Sequence, residues 1–179
     1  MLQKSSMFRT AEIFFSCPSK EHYLMDISRT AGLAHTSVKK NLKKLVKSGL
    51  ITELAEKKGR RKFPIYKANL SEKSFKNYKL IANLSSFFES GLIEFIEEKL
   101  APKSIVLFGS YARGEDIESS DIDLFVECKE EELSVRAFEK KLGRRIELHF
   151  MEDFSSYPKE LKNNIINGFV LMGFLEGYK

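Results

Sequence analysis

Cysteine, tryptophan and long apolar runs are scarce in this sequence, and each scarcity excludes a class of protein. The 179 residues include no tryptophan and two cysteines, Cys17 and Cys128. Two cysteines so far apart form neither a disulfide framework nor a cysteine-rich metal cluster, which fits a reducing compartment. No run of about 18 apolar residues occurs, which excludes a membrane-spanning helix. The first six residues lack the apolar stretch of a signal peptide, so we expect a cytoplasmic protein that has no membrane partner.

Positive charge, by contrast, is plentiful and concentrated near the N-terminus. Residues 1–70 hold 15 of the 30 Lys and Arg residues but 5 of the 25 Asp and Glu residues. The later segments, 71–98 and 99–179, are both slightly acidic. The chain is long enough for two small domains, and 42% of its residues are apolar, which is sufficient for packed cores. A basic segment joined to an acidic one is typical of a nucleic-acid-binding module with a second domain, although a solvated basic surface is the alternative.

Apolar periodicity in residues 1–70 predicts three helices followed by two strands. In the third helix Val38, Leu42 and Leu45 share one face and lysines cover the remainder. Either His35 or Thr36 is expected to cap this helix, and a glycine follows it. The predicted helices are Met7–Phe15, Lys20–Ala31 and Ser37–Ser48, and the predicted strands are Leu50–Leu54 and Phe63–Ala68.

The segment 26–51 resembles the winged helix-turn-helix of multiple-antibiotic-resistance-type and arsenic-type transcription regulators. The pattern is Thr36-Ser37-Val38-Lys39-Lys40-Asn41-Leu42-Lys43-Lys44-Leu45, followed by Ser48-Gly49-Leu50-Ile51. The resemblance implies binding to double-stranded DNA, with the third helix in the major groove and the basic hairpin along the backbone. Winged helices that dock proteins are the alternative. The implied DNA-contacting residues are Thr36, Ser37, Lys39, Lys40, Lys43 and Lys44 on the helix, and Lys57, Lys58, Arg60 and Arg61 on the hairpin.

Residues 71–98 are predicted to form a helical connector that runs on towards Leu100. Aromatic and aliphatic residues recur there at helical spacing, and Gly91 is expected to bend or divide the helix. Core packing between two domains explains this pattern, and the seam of a homodimer explains it as well.

The first chemical feature of residues 99–179 is a turn that follows a short apolar strand. The strand is predicted over 103–108, and Gly109-Ser110 comes directly after it. A short helix over Tyr111–Arg113, stopped by Gly114, is expected to follow. A glycine at a strand-to-helix turn lets backbone N–H groups approach a phosphate closely, and a serine hydroxyl adds a donor.

A pair of carboxylates follows ten residues after this turn. Residues 120–126 are predicted to form a strand, which directs Asp121 and Asp123 to the same face, about 7 Å apart. Such a pair repels itself unless a cation lies between its members. Carboxylate oxygens together with substrate phosphates are typical ligands of Mg²⁺. The turn and the carboxylate pair together indicate phosphoryl or nucleotidyl transfer.

Gly109-Ser110-Tyr111-Ala112-Arg113-Gly114 with Ser120-Asp121-Ile122-Asp123-Leu124 resembles the signature of the DNA polymerase β-like nucleotidyltransferases, in particular their minimal branch. The resemblance implies two Mg²⁺ ions held by Asp121, Asp123 and a third carboxylate on a later strand. Glu147 is the candidate, with Asp153 or Glu152 as the fallback. Gly109 and Ser110 would hold the outer phosphates of a nucleoside triphosphate. Arg113 would contact the triphosphate or else pair with Glu115 or Asp116.

The remaining elements complete an α+β fold with an N-terminal winged helix-turn-helix, a helical connector and a small C-terminal mixed α/β nucleotidyltransferase domain. Glu147 is expected to share its strand face with Arg145 and His149, and His149 is interpreted as a surface histidine rather than a phosphate contact or a supporting group. The predicted elements are a helix over Glu130–Leu142, a strand over Arg144–Phe150, a helix over Lys159–Asn167 and an apolar tail over Gly168–Gly173.

Three functions are compatible with these features. In the first, an active nucleotidyltransferase transfers a nucleoside monophosphate to an acceptor hydroxyl while the winged helix binds DNA. In the second, the transferase fold senses nucleotide without turnover in a transcription regulator. The third follows from a resemblance to minimal nucleotidyltransferase antitoxins, which modify a partner toxin. In the first and third functions, which involve transfer, the acceptor is a partner protein, bound nucleic acid or the chain itself.

Overall fold

The computed structural model describes residues 4–154 and 158–176. The chain divides into two compact units, Met1–Ala82 and Asn83–Lys179, and their boundary falls inside the predicted connector. Both units combine helices with a sheet, so the prediction of an α+β fold is confirmed at that level. Among the described residues, no helix has the length and apolar character needed to cross a membrane.

The N-terminal unit packs three helices beside an antiparallel sheet whose strand order is β1-β3-β2. The apolar faces of the helices meet in one core, where Phe14, Ile27, Val38 and Leu42 are fully buried. The apolar face that the residue spacing predicts for the third helix is therefore the face that packs into the core. The elements are α1 (Ser6–Ser16), β1 (Glu21–Tyr23), α2 (Leu24–Ala31), α3 (His35–Lys47), β2 (Ile51–Lys58) and β3 (Arg61–Ala68).

Two predictions about how helices begin in this unit are wrong. The second helix begins at Leu24 and not at Lys20, because residues 21–23 pair with β3 as an edge strand. Three residues are too few to show the alternation of a strand, so the helical periodicity of the residues after them extends the predicted helix over them. The third helix takes Ala34 as its N-cap, without a side-chain hydrogen bond, so neither His35 nor Thr36 caps it.

The hairpin after α3 is longer than predicted. Cross-strand pairing continues to Lys58 opposite Arg61, which leaves only Gly59 and Arg60 in the turn. Gly59 has a φ of +64°, a value that glycine tolerates far better than other residues. Lys57, Lys58 and Arg61 therefore belong to strand ends and not to the loop, although the side chain of Lys58 lies outside the described part of the structure.

Gly91 is predicted to bend or to divide the connector helix, and in the structure it divides the helix. Gly91 has a φ of +80° and separates two helices, α4 (Lys73–Ser90) and α5 (Leu92–Leu100). The boundary between the two units lies within α4.

The C-terminal unit is built on a sheet of strand order β6-β5-β4-β7. Strands β5 and β6 are parallel, whereas β4 pairs antiparallel with both β5 and β7. The central strand β4 is buried on both faces, which accounts for its unbroken apolar sequence. The elements that follow α5 are β4 (Ser104–Phe108), a short 3₁₀ helix (Tyr111–Arg113), β5 (Ile122–Val126), α6 (Arg136–Leu142), β6 (Ile146–Phe150), α7 (Lys159–Ile166) and β7 (Phe169–Gly173).

Two predictions for the C-terminal unit need correction. The helix predicted over Glu130–Leu142 begins only at Arg136, since the exposed run Glu130–Glu132 carries like charges and Val135 is buried in the core ahead of the helix. The apolar tail Gly168–Gly173 is a strand, because β7 pairs with the second edge of β4. Pairing with a distant strand stabilises β7, and its short sequence alone does not reveal that partner.

Candidate functional site

The turn after β4 requires glycine at its first position. Gly109 has a φ of +75°, and a Cβ atom built there would lie 2.0 Å from Oδ2 of Asp123. No side chain fits such a distance, so the absence of one brings the Asp123 carboxylate directly against the backbone of the turn. Ser110 continues the turn, and its carbonyl oxygen accepts hydrogen bonds from the amides of Arg113 (3.1 Å) and Glu115 (3.0 Å).

Asp123 lies directly opposite Glu147, because the parallel register of β5 and β6 pairs these two residues. Side chains on paired positions of neighbouring strands share one face of the sheet. His149 lies two residues beyond Glu147 and therefore returns to that face. Asp123, Glu147 and His149 each offer a ligand atom, and these atoms all lie within 4.8 Å of one another. The structure thus brings together two of the three predicted carboxylates and adds an imidazole.

Asp121 is placed differently from its predicted partner Asp123. It precedes the first residue of β5 and is not a member of the three-residue cluster found among the described residues. Asp121 lines an open cavity of about 510 Å³ together with Arg144 and Arg145. Neither Glu152 nor Asp153, the fallback choices for the third carboxylate, belongs to the cluster.

Arg113 pairs with Glu115, one of the two carboxylates considered as its partner. Its Nε donates a hydrogen bond to Oε2 of Glu115 at 3.0 Å, and both side chains are substantially exposed. An exposed pair of this kind contributes little to stability. Arg113 therefore retains access to solvent beside the turn that carries Gly109 and Ser110.

A buried network of hydrogen bonds holds the short 3₁₀ helix that follows the Gly109 turn. Asn83 Nδ2 donates to the carbonyl oxygen of Tyr111 at 3.0 Å and to Oδ1 of Asp116 at 2.8 Å. Asp116 is fully buried and forms an ion pair with Arg144 at 3.4 Å. Burial, followed by the negative charge of Asp116, raises the pKa of Tyr111 well above its usual value, so its hydroxyl stays protonated and donates to the Asn83 carbonyl.

Removing the carboxylate from this network is expected to destabilise the C-terminal unit. Asp116→Ala leaves the nearly buried Arg144 without this counter-charge and Asn83 without one acceptor, at a cost of about 3 kcal/mol. Urea unfolding followed by circular dichroism measures the change. The exposed Glu115→Gln serves as the control and should shift stability by less than about 0.5 kcal/mol. Equal effects of the two substitutions would contradict the role given to the network.

The cluster fits a divalent cation. Two carboxylates on paired strand positions repel each other in the absence of a positive charge. The Nε2 atom of His149 is buried and has no hydrogen-bond partner among the described residues, which leaves it available as a ligand atom. Oxygen atoms from Asp123 and Glu147 and the nitrogen of His149 would hold the ion.

Comparison with known proteins agrees with this geometry. Residues 89–172, somewhat less than half of the chain, match the family model described as "Nucleotidyltransferase domain". That span contains β4, β5, β6 and the turn at Gly109. The sequence-based prediction of a nucleotidyltransferase domain is therefore borne out for the C-terminal part of the chain.

Curated relatives from Methanocaldococcus jannaschii point the same way. The protein named "Putative protein adenylyltransferase MJ1379" is 41% identical in an alignment 63 residues long, and the match covers 31% of this chain and 63% of the relative. A second protein of that name, MJ1305, is 39% identical in an alignment 84 residues long, and the match covers 42% of this chain and 55% of the relative. The chain thus spans between about half and two thirds of the length of these relatives. No solved structure gives a significant match.

The sequence predicts a surface position for His149, but its Nε2 atom is buried and the residue lies in the cluster with Asp123 and Glu147. One signal was already present, because strand alternation puts His149 on the face of Glu147. The missing information was the register of β6 on β5, which brings that face to Asp123.

Proposed function

We propose that this protein transfers a nucleoside monophosphate from a nucleoside triphosphate to an acceptor hydroxyl. The observation that carries the proposal is the contact between the Gly109 turn and Asp123, with Glu147 directly opposite on the neighbouring strand. A turn that exposes backbone N–H groups suits phosphate, and adjacent carboxylates suit the cations that accompany it. The match of residues 89–172 to a nucleotidyltransferase model supports the same assignment.

The roles of the residues follow from their chemistry. Gly109 and Ser110 bind the outer phosphates, and Arg113 is available to contact them from the same turn. Asp121, Asp123 and Glu147 would hold two Mg²⁺ ions, with Asp121 reaching them from the start of β5, and Glu147 would also orient the acceptor hydroxyl and favour loss of its proton. Bound divalent ions stabilise negative charge on the entering and leaving oxygens during such a transfer.

A protein hydroxyl is the acceptor we favour, with ATP as the donor. The support is the name that the relatives carry, protein adenylyltransferase. The test is to incubate the full chain with each α-labelled nucleoside triphosphate, Mg²⁺ and candidate acceptors, including the chain itself and double-stranded DNA. Label on a protein supports the proposal, and label on DNA alone shows that the acceptor class is wrong.

For the N-terminal unit we propose a winged helix-turn-helix that binds double-stranded DNA and serves a regulatory role. Helix α3 buries Val38, Leu42 and Leu45 and exposes its lysines, and the β2–β3 hairpin that follows it in the chain has a basic turn. An exposed cationic helix next to a basic hairpin suits contact with a phosphate backbone. The proposed contacts on exposed positions are Thr36, Ser37, Lys39, Lys40, Lys43, Lys44, Lys57, Arg60 and Arg61.

Removing two lysines from α3 is expected to weaken DNA binding and to lower its salt dependence. In Lys39→Ala/Lys40→Ala, the slope of log K against log salt should fall by about 2, because each phosphate contact contributes about 0.9. Fluorescence anisotropy with a labelled duplex across a salt series measures this slope. The control is Lys99→Ala/Lys140→Ala, which removes the same charge from exposed positions on α5 and α6. Identical slopes for the two double variants would refute a specific role for α3.

A further inference from the structure

His149 packs against an aromatic ring on the face of the site, and its Nε2 atom has no hydrogen-bond partner within residues 4–154 and 158–176. Its ring packs against the ring of Phe108, with centroids 5.1 Å apart and planes inclined by 59°. Its Nε2 atom is buried and has no hydrogen-bond partner in the described part of the chain. A buried nitrogen without a partner is costly, so it indicates a ligand that the protein atoms do not supply.

The position of this nitrogen relative to Asp123 suits two ligands of one ion. Nε2 lies 3.7 Å from Oδ1 of Asp123, which is too long for a hydrogen bond. Around an ion with bonds of about 2.1 Å, ligands at right angles are about 3.0 Å apart and opposite ligands about 4.2 Å apart. The observed separation falls between these values. Glu147 supplies the third ligand atom, within 4.8 Å of both.

We infer that His149 is a direct ligand of the cation held by Asp123 and Glu147, and that its imidazole makes this site prefer Mn²⁺ over Mg²⁺. Mg²⁺ is bound through oxygen ligands and waters in strict octahedral geometry, whereas Mn²⁺, although it also favours oxygen and is the weakest binder of the first-row transition series, accepts an imidazole nitrogen more readily than Mg²⁺ does. A site of two carboxylates and one imidazole therefore discriminates between the two ions more strongly than a site built of carboxylates alone. The inference rests on the proposed function because it concerns the same cation site, but ion binding needs no turnover.

The test uses Mn²⁺ alone with the full chain. Pulsed electron paramagnetic resonance of the bound ion should show hyperfine coupling to an imidazole nitrogen, and His149→Gln should abolish that coupling. The same variant should weaken Mn²⁺ binding about tenfold or more and change Mg²⁺ binding, measured by displacement, less than about threefold. His35→Gln is the matched control because His35 is exposed at the start of α3, and it should leave coupling and affinity unchanged.

Three results would overturn the inference: no nitrogen coupling in the unmodified chain, coupling that persists in His149→Gln, or equal losses of Mn²⁺ and Mg²⁺ affinity. Circular dichroism of His149→Gln checks that the unit remains folded. Transfer assays separate the two proposals. Coupling without any transfer removes the proposed function and leaves the ligand assignment, whereas transfer without coupling removes the ligand assignment alone.

Discussion

Asp123→Asn is expected to lower nucleotidyl transfer by about a thousandfold or more while the fold persists. The substitution keeps the size of the side chain that lies against Gly109, but it removes the negative charge that faces Glu147 and His149. A cation held between these groups would lose one anionic ligand and bind more weakly, so the phosphates would lose positive charge that neutralises them. The initial rate of label transfer from an α-labelled triphosphate measures the effect.

Two further variants sharpen this prediction. Asp26→Asn removes a carboxylate from an exposed position on α2 and should leave the rate unchanged. Asp121→Asn should abolish transfer as well, since Asp121 is proposed to hold the ions together with Asp123 and Glu147. Turnover at the original rate in Asp123→Asn would show that the carboxylate at β5 has no part in the reaction.

Gly109→Ala is expected to reduce transfer by about a hundredfold or more and to destabilise the C-terminal unit by about 1–3 kcal/mol. Two effects combine at this position. An alanine at a φ of +75° is strained, and its Cβ would lie 2.0 Å from Oδ2 of Asp123, so the carboxylate has to move. The transfer rate and urea unfolding, measured on the same preparation, report the two consequences.

Gly91→Ala serves as a control that has the backbone strain but no steric contact. Gly91 has a φ of +80°, but a Cβ atom there would have no heavy atom within 4 Å apart from its chain neighbours. This variant should therefore lose stability of about 1–2 kcal/mol from strain and retain its transfer rate. If the two alanine variants reduced transfer equally, the close approach of Gly109 to Asp123 would have no functional meaning.

The parts of the site that are local in sequence could be predicted. The apolar run at Ser104–Phe108 predicts a buried strand, and Gly109 directly after it predicts a turn, because both signals depend on neighbouring residues. The pairing of Asp123 with Glu147 depends instead on the parallel register of β5 on β6, which is fixed by packing across the sheet. The family resemblance implied Glu147 as the third carboxylate, and strand alternation put His149 on the same face, but neither showed that this face meets Asp123.

The same distinction holds for the fold. Helix α3 was predicted because its apolar seam is internal to the helix. Strands β1 and β7 were missed because each is stabilised by pairing with a remote strand, β1 with β3 and β7 with β4. Such pairings become visible only when the whole sheet is assembled.

The most direct test of the central claim compares the fate of two labels on one triphosphate. With Mg²⁺ and an acceptor present, the label of α-labelled ATP should become bound to the acceptor, and the label of γ-labelled ATP should leave as pyrophosphate. Both processes should stop in Asp123→Asn. Transfer of the γ label to the acceptor, or release of inorganic phosphate without any transfer of the α label, would contradict the account.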